Sequence, residues 1–366
     1  MRILMIIDGL PGGGAEKVVL TLSQHMQQMG HSISLYSLGT DCAYTIPEGI
    51  NYQIVVSDSK MPWRKLTELS RRANMLDRVL EEDERENGDY DLIVSNLHKT
   101  DRIVYRSKAI NQDKLWFCIH GVLSSTYLGH RTGLNRWLKR RKMAHIYQQK
   151  NIISVSQAVL DDLVQEMGVT PAKTAVINNP FDISALLALA AEPCELAGTD
   201  YIINVARIHP QKRQDRLLKA YARSGISAKL VLLGTGTDER IAAAKQLAHD
   251  LGIADSVLFL GFQANPFPYI KHAAMLVLSS DSEGFGNVLV EALICDTPVV
   301  STRCPGGPEE ILMKAGMAAA LTDIDEAALA ETMAALYASP LKIDHGALKK
   351  YDVQSICEQY IALINT

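Results

Sequence analysis

The chain has 366 residues, 47% of them hydrophobic and 21% charged, with a formal net charge of −4. That length suits two domains of ordinary size with substantial cores, and the negative balance argues against a general nucleic-acid binder. The charge is uneven: residues 1–182 carry 22 basic and 20 acidic side chains, a balance of +2, and the rest carry 15 and 21, a balance of −6.

Short apolar runs predict strands at Arg2–Asp8, Ile33–Leu38, Tyr52–Val56, Asp91–Ser95, Leu115–His120, Ile152–Val155 and Thr174–Asn178. A second series follows at Tyr201–Ala206, Lys229–Leu233, Val257–Leu260, Ala274–Leu278, Pro298–Ser301 and Met317–Leu321. Helical patterns lie between most of them, and that alternation implies parallel sheets covered on both faces. The stretch Asn178–Asp200 has prolines at each end and no strand pattern, and after it the strand–helix series begins again. The reading is two doubly wound α/β domains, residues 1–182 and 183–351, with the last helix, within 352–366, folding back on the first. Ligands of such sheets bind beyond the carboxyl ends of the strands, and a cleft between two domains is the default site.

The N-terminal MRILMIIDG is too short for a signal peptide, and no run approaches the roughly 18 apolar residues of a spanning helix. The cysteines, Cys42, Cys118, Cys194, Cys295, Cys304 and Cys357, form no C-x-x-C pair. They predict reduced thiols in a cytoplasmic protein, soluble or at most peripheral on a membrane.

The first strand closes into DGLPGGGAEKVV, where Gly12, Gly13 and Gly14 allow close backbone approach. A dinucleotide fingerprint fails here, because Lys17 stands at the third glycine position and Ser37, not an acid, ends the second strand. His120 ends the fifth strand before Gly121. Arg131–Lys150 follows with seven basic residues and no acid, interleaved with Leu134, Trp137, Leu138, Ile146 and Tyr147. Such a segment suits an anionic membrane surface, or is a solvated helix packed on the first domain. In the second half, Arg207 and Lys212 lie in the loop after a strand and are placed to meet a diphosphate; a lone basic loop would merely be solvated. The stretch SSDSEGFGNVLVEAL, Ser279–Leu293, reads as strand, loop and helix, with Asn287 as a candidate N-cap. Gly284 and Gly286 free the backbone, and the helix N-terminus favours a phosphate. Glu283 and Glu291 then suit hydroxyls on either side of that phosphate, as in a nucleotide sugar. PGGPEEIL, Pro305–Leu312, is either a well-formed helix start or a further backbone contact to ligand. The two D-x-D patterns, Asp89–Asp91 and Asp323–Asp325, read as a strand entry and a helix start, and no metal is expected.

Together these motifs resemble the retaining GT-B glycosyltransferases of family 4, over essentially the whole chain, with bacterial lipopolysaccharide and envelope-glycan enzymes most similar. The resemblance implies that Arg207 and Lys212 hold the donor diphosphate, assisted by the N–H groups from Gly286 through Asn287 and Val288 to Leu289. It places Glu291 on the nucleotide ribose, and Glu283, Gly284 and the Phe285–Gly286–Asn287 turn on the donor sugar. It brings Gly13 and Gly14 near the phosphates, His120 to the donor sugar beside the reacting carbon, and Phe262 within GFQANP to the base. It implies no cofactor, a UDP-sugar as co-substrate, a saccharide or lipid-linked glycan as acceptor, and a metal-free reaction. His120, Arg207, Lys212 and Glu283 are its candidate catalytic residues. A sugar-nucleotide epimerase of the same fold would need other carboxylates in the first domain, and a non-catalytic module would have no need to keep Glu283, Glu291, Arg207 and Lys212 together.

Overall fold

The computed structural model describes residues 1–56, 64–129 and 131–366. The chain divides into two compact units, one of residues 1–180 with 353–366 and one of residues 181–352. Each is built on its own parallel sheet.

The first unit contains β1 (Arg2–Ile7), β2 (Ser32–Ser37), β3 (Asn51–Ile54), β4 (Leu92–Asn96), β5 (Leu115–Ile119), β6 (Asn151–Ser154) and β7 (Lys173–Val176). They run in the order β3-β2-β1-β4-β5-β6-β7, every neighbouring pair parallel. The helices α1 (Gly14–Gln28), α2 (Arg64–Asn87), α3 (His98–Val104), α4 (Gly133–Tyr147) and α5 (Gln157–Asp161) connect them. Every residue of β4 and β5 is buried, so both sheet faces are covered and the strands read as continuous apolar runs. The strand order reverses between β1 and β4, which makes the carboxyl ends of these strands the place for a ligand.

The second unit repeats the plan with β8 (Tyr201–Val205), β9 (Lys229–Leu233), β10 (Val257–Gly261), β11 (Met275–Leu278), β12 (Val299–Thr302) and β13 (Leu321–Thr322), ordered β10-β9-β8-β11-β12-β13. Its helices are α6 (Ile183–Ala190), α7 (Gln214–Ser224), α8 (Asp238–Asp250), α9 (Phe267–Lys271), α10 (Asn287–Ile294), α11 (Gly307–Lys314) and α12 (Glu326–Ala338). The switch point here lies between β8 and β11. The chain then returns to the first unit through α13 (Val353–Ala362). There the Tyr360 hydroxyl lies 3.5 Å from the Cys118 thiol of β5, and burial pushes that thiol up to about 12.

Three local details go beyond or against the sequence reading. The stretch read as a break without strand pattern holds α6, started by the Asp182 carboxylate accepting from Ala185 N–H at 2.9 Å. The strand expected at Met317–Leu321 shrinks to Leu321–Thr322, because Ala318–Ala320 forms a 3-10 turn; small alanines carry little β preference. Asp325, not Asp323, opens α12, its carboxylate accepting from the N–H groups of Ala327 and Ala328 at 2.8 and 3.0 Å.

Candidate functional site

In the second unit two loops at the switch point are stitched together. One follows β8 through Arg207 and a 3-10 turn, Pro210–Lys212, into α7. The other follows β11 from Ser279 to Gly286 and enters α10. Asp281 N–H donates to the Gln211 carbonyl at 2.8 Å, and the Gln211 side chain donates to the Ser282 carbonyl at 2.8 Å. The Ser279 hydroxyl bridges the carbonyls of Lys212 and Arg213 at 2.9 and 3.1 Å. Arg213 sits in the left-handed region at φ 52, a strained choice for a side chain of this size. Its guanidinium reaches both Asp215 and Asp281. Buried Arg216 donates to the Ser279 carbonyl at 2.7 Å and to Asp281 at 2.6 Å.

This clamp sets Lys212 against Glu283. The Lys212 ammonium lies 2.6 and 2.8 Å from the two oxygens of the Glu283 carboxylate, which also accepts from the Ser280 hydroxyl at 2.5 Å. Glu283 is buried. Arg207, by contrast, is exposed, and its guanidinium has no hydrogen-bond or ion-pair partner among the described residues. The two basic residues read from the sequence as a pair are thus unequal: one is spoken for and one is free.

The PGGP stretch supports this loop from behind. Glu283 N–H donates to the Pro305 carbonyl at 3.0 Å and Gly307 N–H to the Gly284 carbonyl at 3.1 Å. A Cβ on Gly306 (φ 118) would collide with the Glu283 carbonyl, and one on Gly307 with that of Phe285. The two glycines let backbone lie on backbone.

α10 begins at Gly286, the N-cap at φ 96, with no side chain capping it. Asn287, expected as the cap, is the first helical residue, because glycine alone adopts this left-handed turn at little cost. Uncapped N–H groups at a helix start are suited to an anion. Phe285 is 3% exposed and its ring packs 5.5 Å from that of Tyr351, while Leu289 is fully buried at 0%. Both side chains belong to the core, so any ligand contact from them comes through the backbone. Asn287, Val288 and Glu291 are half-buried, and Phe262 is 71% exposed just past β10.

In the first unit Gly13 is the N-cap of α1 and its carbonyl accepts from the Tyr44 hydroxyl at 3.0 Å. The Glu16 carboxylate curls back over Gly13 so closely that a Cβ there would strike it, placing negative charge where the dipole of α1 favours it. His120 stands just past β5, its Nε2 2.9 Å from the Asn96 side-chain oxygen. Burial holds its imidazole down to about 4. α4 carries the basic segment. Leu134, Trp137 and Leu138 are exposed at 69%, 49% and 50%, whereas Met143, Ala144, Ile146 and Tyr147 are buried. A cavity of about 390 Å³ beside it is lined by Trp137, Arg140, Arg141, His145, Gln148 and Met167, among others, and includes none of the candidate site residues.

Ser280, Gln211, Arg213, Asp281 and Asn96 were not singled out from the sequence. For Gln211, Arg213, Asp281 and Asn96 the roles come from contacts far apart in the chain, which no local spacing displays. Among the described residues no group of three or more His, Cys, Asp or Glu could hold a metal ion, and no helix is long and apolar enough to cross a membrane.

The Glycosyltransferase Family 4 model matches residues 12–185 and the Glycosyl transferases group 1 model matches residues 195–351. The chain belongs to this family: it is a glycosyltransferase of the family 4 type, an enzyme of the hexosyltransferase class. It is 28% identical over 311 residues, 84% of this chain and 82% of the other, to the Campylobacter jejuni N-acetylgalactosamine-N,N'-diacetylbacillosaminyl-diphospho-undecaprenol 4-alpha-N-acetylgalactosaminyltransferase. It is 27% identical over 164 residues, 44% of this chain and 45% of the other, to the lipopolysaccharide 1,6-galactosyltransferase of Escherichia coli. The crystal structure of Anabaena HepE in complex with UDP and glucose superposes with a TM-score of 0.76 at 21% identity, covering 100% of this chain and 99% of that one. The lipopolysaccharide outer core galactosyltransferase WaaB gives 0.72 at 17% identity, with the same coverage. The fold is GT-B.

Proposed function

We propose that this enzyme moves a hexosyl or N-acetylhexosaminyl unit from a UDP-sugar to a saccharide or lipid-linked acceptor in the building of a bacterial envelope glycan. The reading rests first on the Lys212–Glu283 pair beside the uncapped start of α10. A cation, a helix start without a side-chain cap and a carboxylate at one switch point suit a diphosphate and a hydroxylated sugar in turn. The Campylobacter relative is named for a diphospho-undecaprenol acceptor and the Escherichia coli relative for lipopolysaccharide; HepE was solved with UDP and glucose. These names support the donor and acceptor classes.

The transfer retains configuration and uses no metal. As the anomeric carbon–phosphate oxygen bond breaks, the acceptor oxygen bonds that carbon on the same face and its proton passes to the departing phosphate. Arg207 and Lys212 offset the charge that grows there, an electrostatic role that is strongest in the transition state. Glu291 takes the ribose hydroxyls, Glu283 the sugar, and His120 the sugar beside the reacting carbon. Gly13 and Gly14 approach the phosphates, and the loop bearing Phe262 approaches the base. The exposed Leu134, Trp137 and Leu138 among the basic residues of α4 support peripheral attachment to an anionic inner membrane. A donor screen by mass spectrometry, with lipid-linked envelope glycans as acceptors, tests the reading. One UDP-sugar should give a product heavier by one hexosyl or N-acetylhexosaminyl unit; product from donor alone would instead mean an epimerase.

A further inference from the structure

His120 and Asn96 meet where β5 and β4 end, next to the switch point of the first unit. Asn96 is 2% exposed. Its amide nitrogen lies 3.3 Å from the Ile6 carbonyl on neighbouring β1 and 3.2 Å from the Val94 carbonyl on its own strand. Both amide protons are therefore committed to backbone acceptors. The opposite amide orientation would press its oxygen against two carbonyl oxygens, so the network fixes which atom faces where. The atom left facing His120 is the side-chain oxygen, 2.9 Å from Nε2. An amide oxygen only accepts, so the imidazole proton must sit on Nε2. Nδ1 is then a bare lone pair. It is buried and has no partner among the described residues. Neutral imidazole carries a single N–H, so the two nitrogens have opposite roles. Burial holds the ring neutral, its pKa brought down to about 4. Immediately after Asn96, Leu97 turns at φ 73, a conformation rare for a leucine.

We infer that Asn96 is a positioning residue that locks His120 in the Nε2–H tautomer, so that Nδ1 is offered as an acceptor for one hydroxyl of the sugar substrate. This rests on the glycosyltransferase reading for the identity of the ligand, and on the local geometry alone for the tautomer. A buried acceptor without a donor is unfavourable, and a sugar hydroxyl supplies that donor. The consequence is a specific role for His120. It accepts a hydrogen bond and neither gives nor takes a proton during turnover. Discrimination follows as well: an analogue whose matching hydroxyl is replaced by fluorine, which cannot donate, is rejected along with the deoxy analogue.

The test begins with the wild-type protein labelled with ¹⁵N-histidine, His120 being assigned by its disappearance in His120→Gln. Long-range ¹H–¹⁵N spectra at neutral pH should show Nε2 protonated and Nδ1 bare. A proton on Nδ1, or a charged ring, overturns the inference without any variant. Asn96→Leu, checked for folding by circular dichroism, should lose the tautomer preference. Its affinity for UDP should be unchanged, while its affinity for the UDP-sugar that serves wild type falls about 10-fold or more, as for a lost contact to a substrate hydroxyl. Unchanged tautomer in a folded Asn96→Leu, or equal losses for UDP and UDP-sugar, also overturns it. If wild type binds no UDP-sugar, the functional reading fails, and the spectra still decide the tautomer.

Discussion

The ammonium of Lys212 is held 2.6 and 2.8 Å from the carboxylate oxygens of Glu283, and the same carboxylate takes a hydrogen bond from Ser280. A cation proposed to hold phosphate is thus already neutralised by the residue proposed to hold the sugar. Each must weaken its hold on the other when donor binds.

Replacing Glu283 with Gln removes the competing charge. We expect UDP to bind about 3- to 10-fold tighter, a fraction of the unscreened charge contact since Lys212 is partly solvated. Turnover should nevertheless fall by about 100-fold, because the sugar loses its acceptor. Lys212→Ala should lower kcat even at saturating donor. Calorimetry with UDP and steady-state kinetics check both, and unchanged or weaker UDP binding by Glu283→Gln would contradict the competition.

Gly306→Ala tests the backbone-on-backbone support of the Glu283 loop. Its φ of 118 and the collision of a Cβ with the Glu283 carbonyl both oppose the substitution. We expect a loss of about 2–4 kcal/mol in denaturant unfolding and weakened donor binding. A variant as stable as wild type would show that this loop yields easily.

Much of the architecture could be read from the sequence because strands such as β1, β4 and β5 are buried on both faces and appear as unbroken apolar runs. The loop residues Arg207, Lys212 and Glu283 stand out for a similar reason, since charges beside a strand end break the pattern. What stayed hidden depends on distant partners. Arg213 could not be recognised as left-handed without Asp281, 68 positions away. The N-cap went to Gly286 because a turn, not a hydrogen-bonding side chain, starts α10. Phe285 looked available to ligand, but Phe181 and Tyr351 draw its ring into the core.

Buried Asp101 gives a pH dependence of stability. It accepts from Ser95 at 2.6 Å and from Tyr147 at 2.7 Å, and burial raises its carboxyl from 3.8 to about 8. The folded state therefore keeps a proton that the unfolded chain releases, so this contribution is lost as pH rises toward 8. His98 and His120, lowered from 6.5 to about 4, act in the opposite sense, losing stability as pH falls from 6.5 toward 4. Above about 6.5 only Asp101 of these three remains. Stability should fall there by on the order of 1 kcal/mol per pH unit, and Asp101→Asn should flatten the slope. Thermal melts from pH 6.5 to 8 check this.

The basic residues of α4 predict salt-sensitive membrane binding. Changing Lys139, Arg140, Arg141 and Lys142 to Gln should weaken co-sedimentation with anionic vesicles, by up to about 1 kcal/mol for each charge, and leave UDP affinity unchanged. Wild type that ignores anionic vesicles at low salt would make α4 only a solvated helix.

The most direct test of the central claim is the anomeric configuration of the product, read by proton NMR from a reaction run in EDTA with an α-linked UDP-sugar. An α-linked product should form at an undiminished rate in chelator, since Arg207 and Lys212 supply the positive charge. A β-linked product, or turnover that returns only when Mg²⁺ or Mn²⁺ is added, would contradict it.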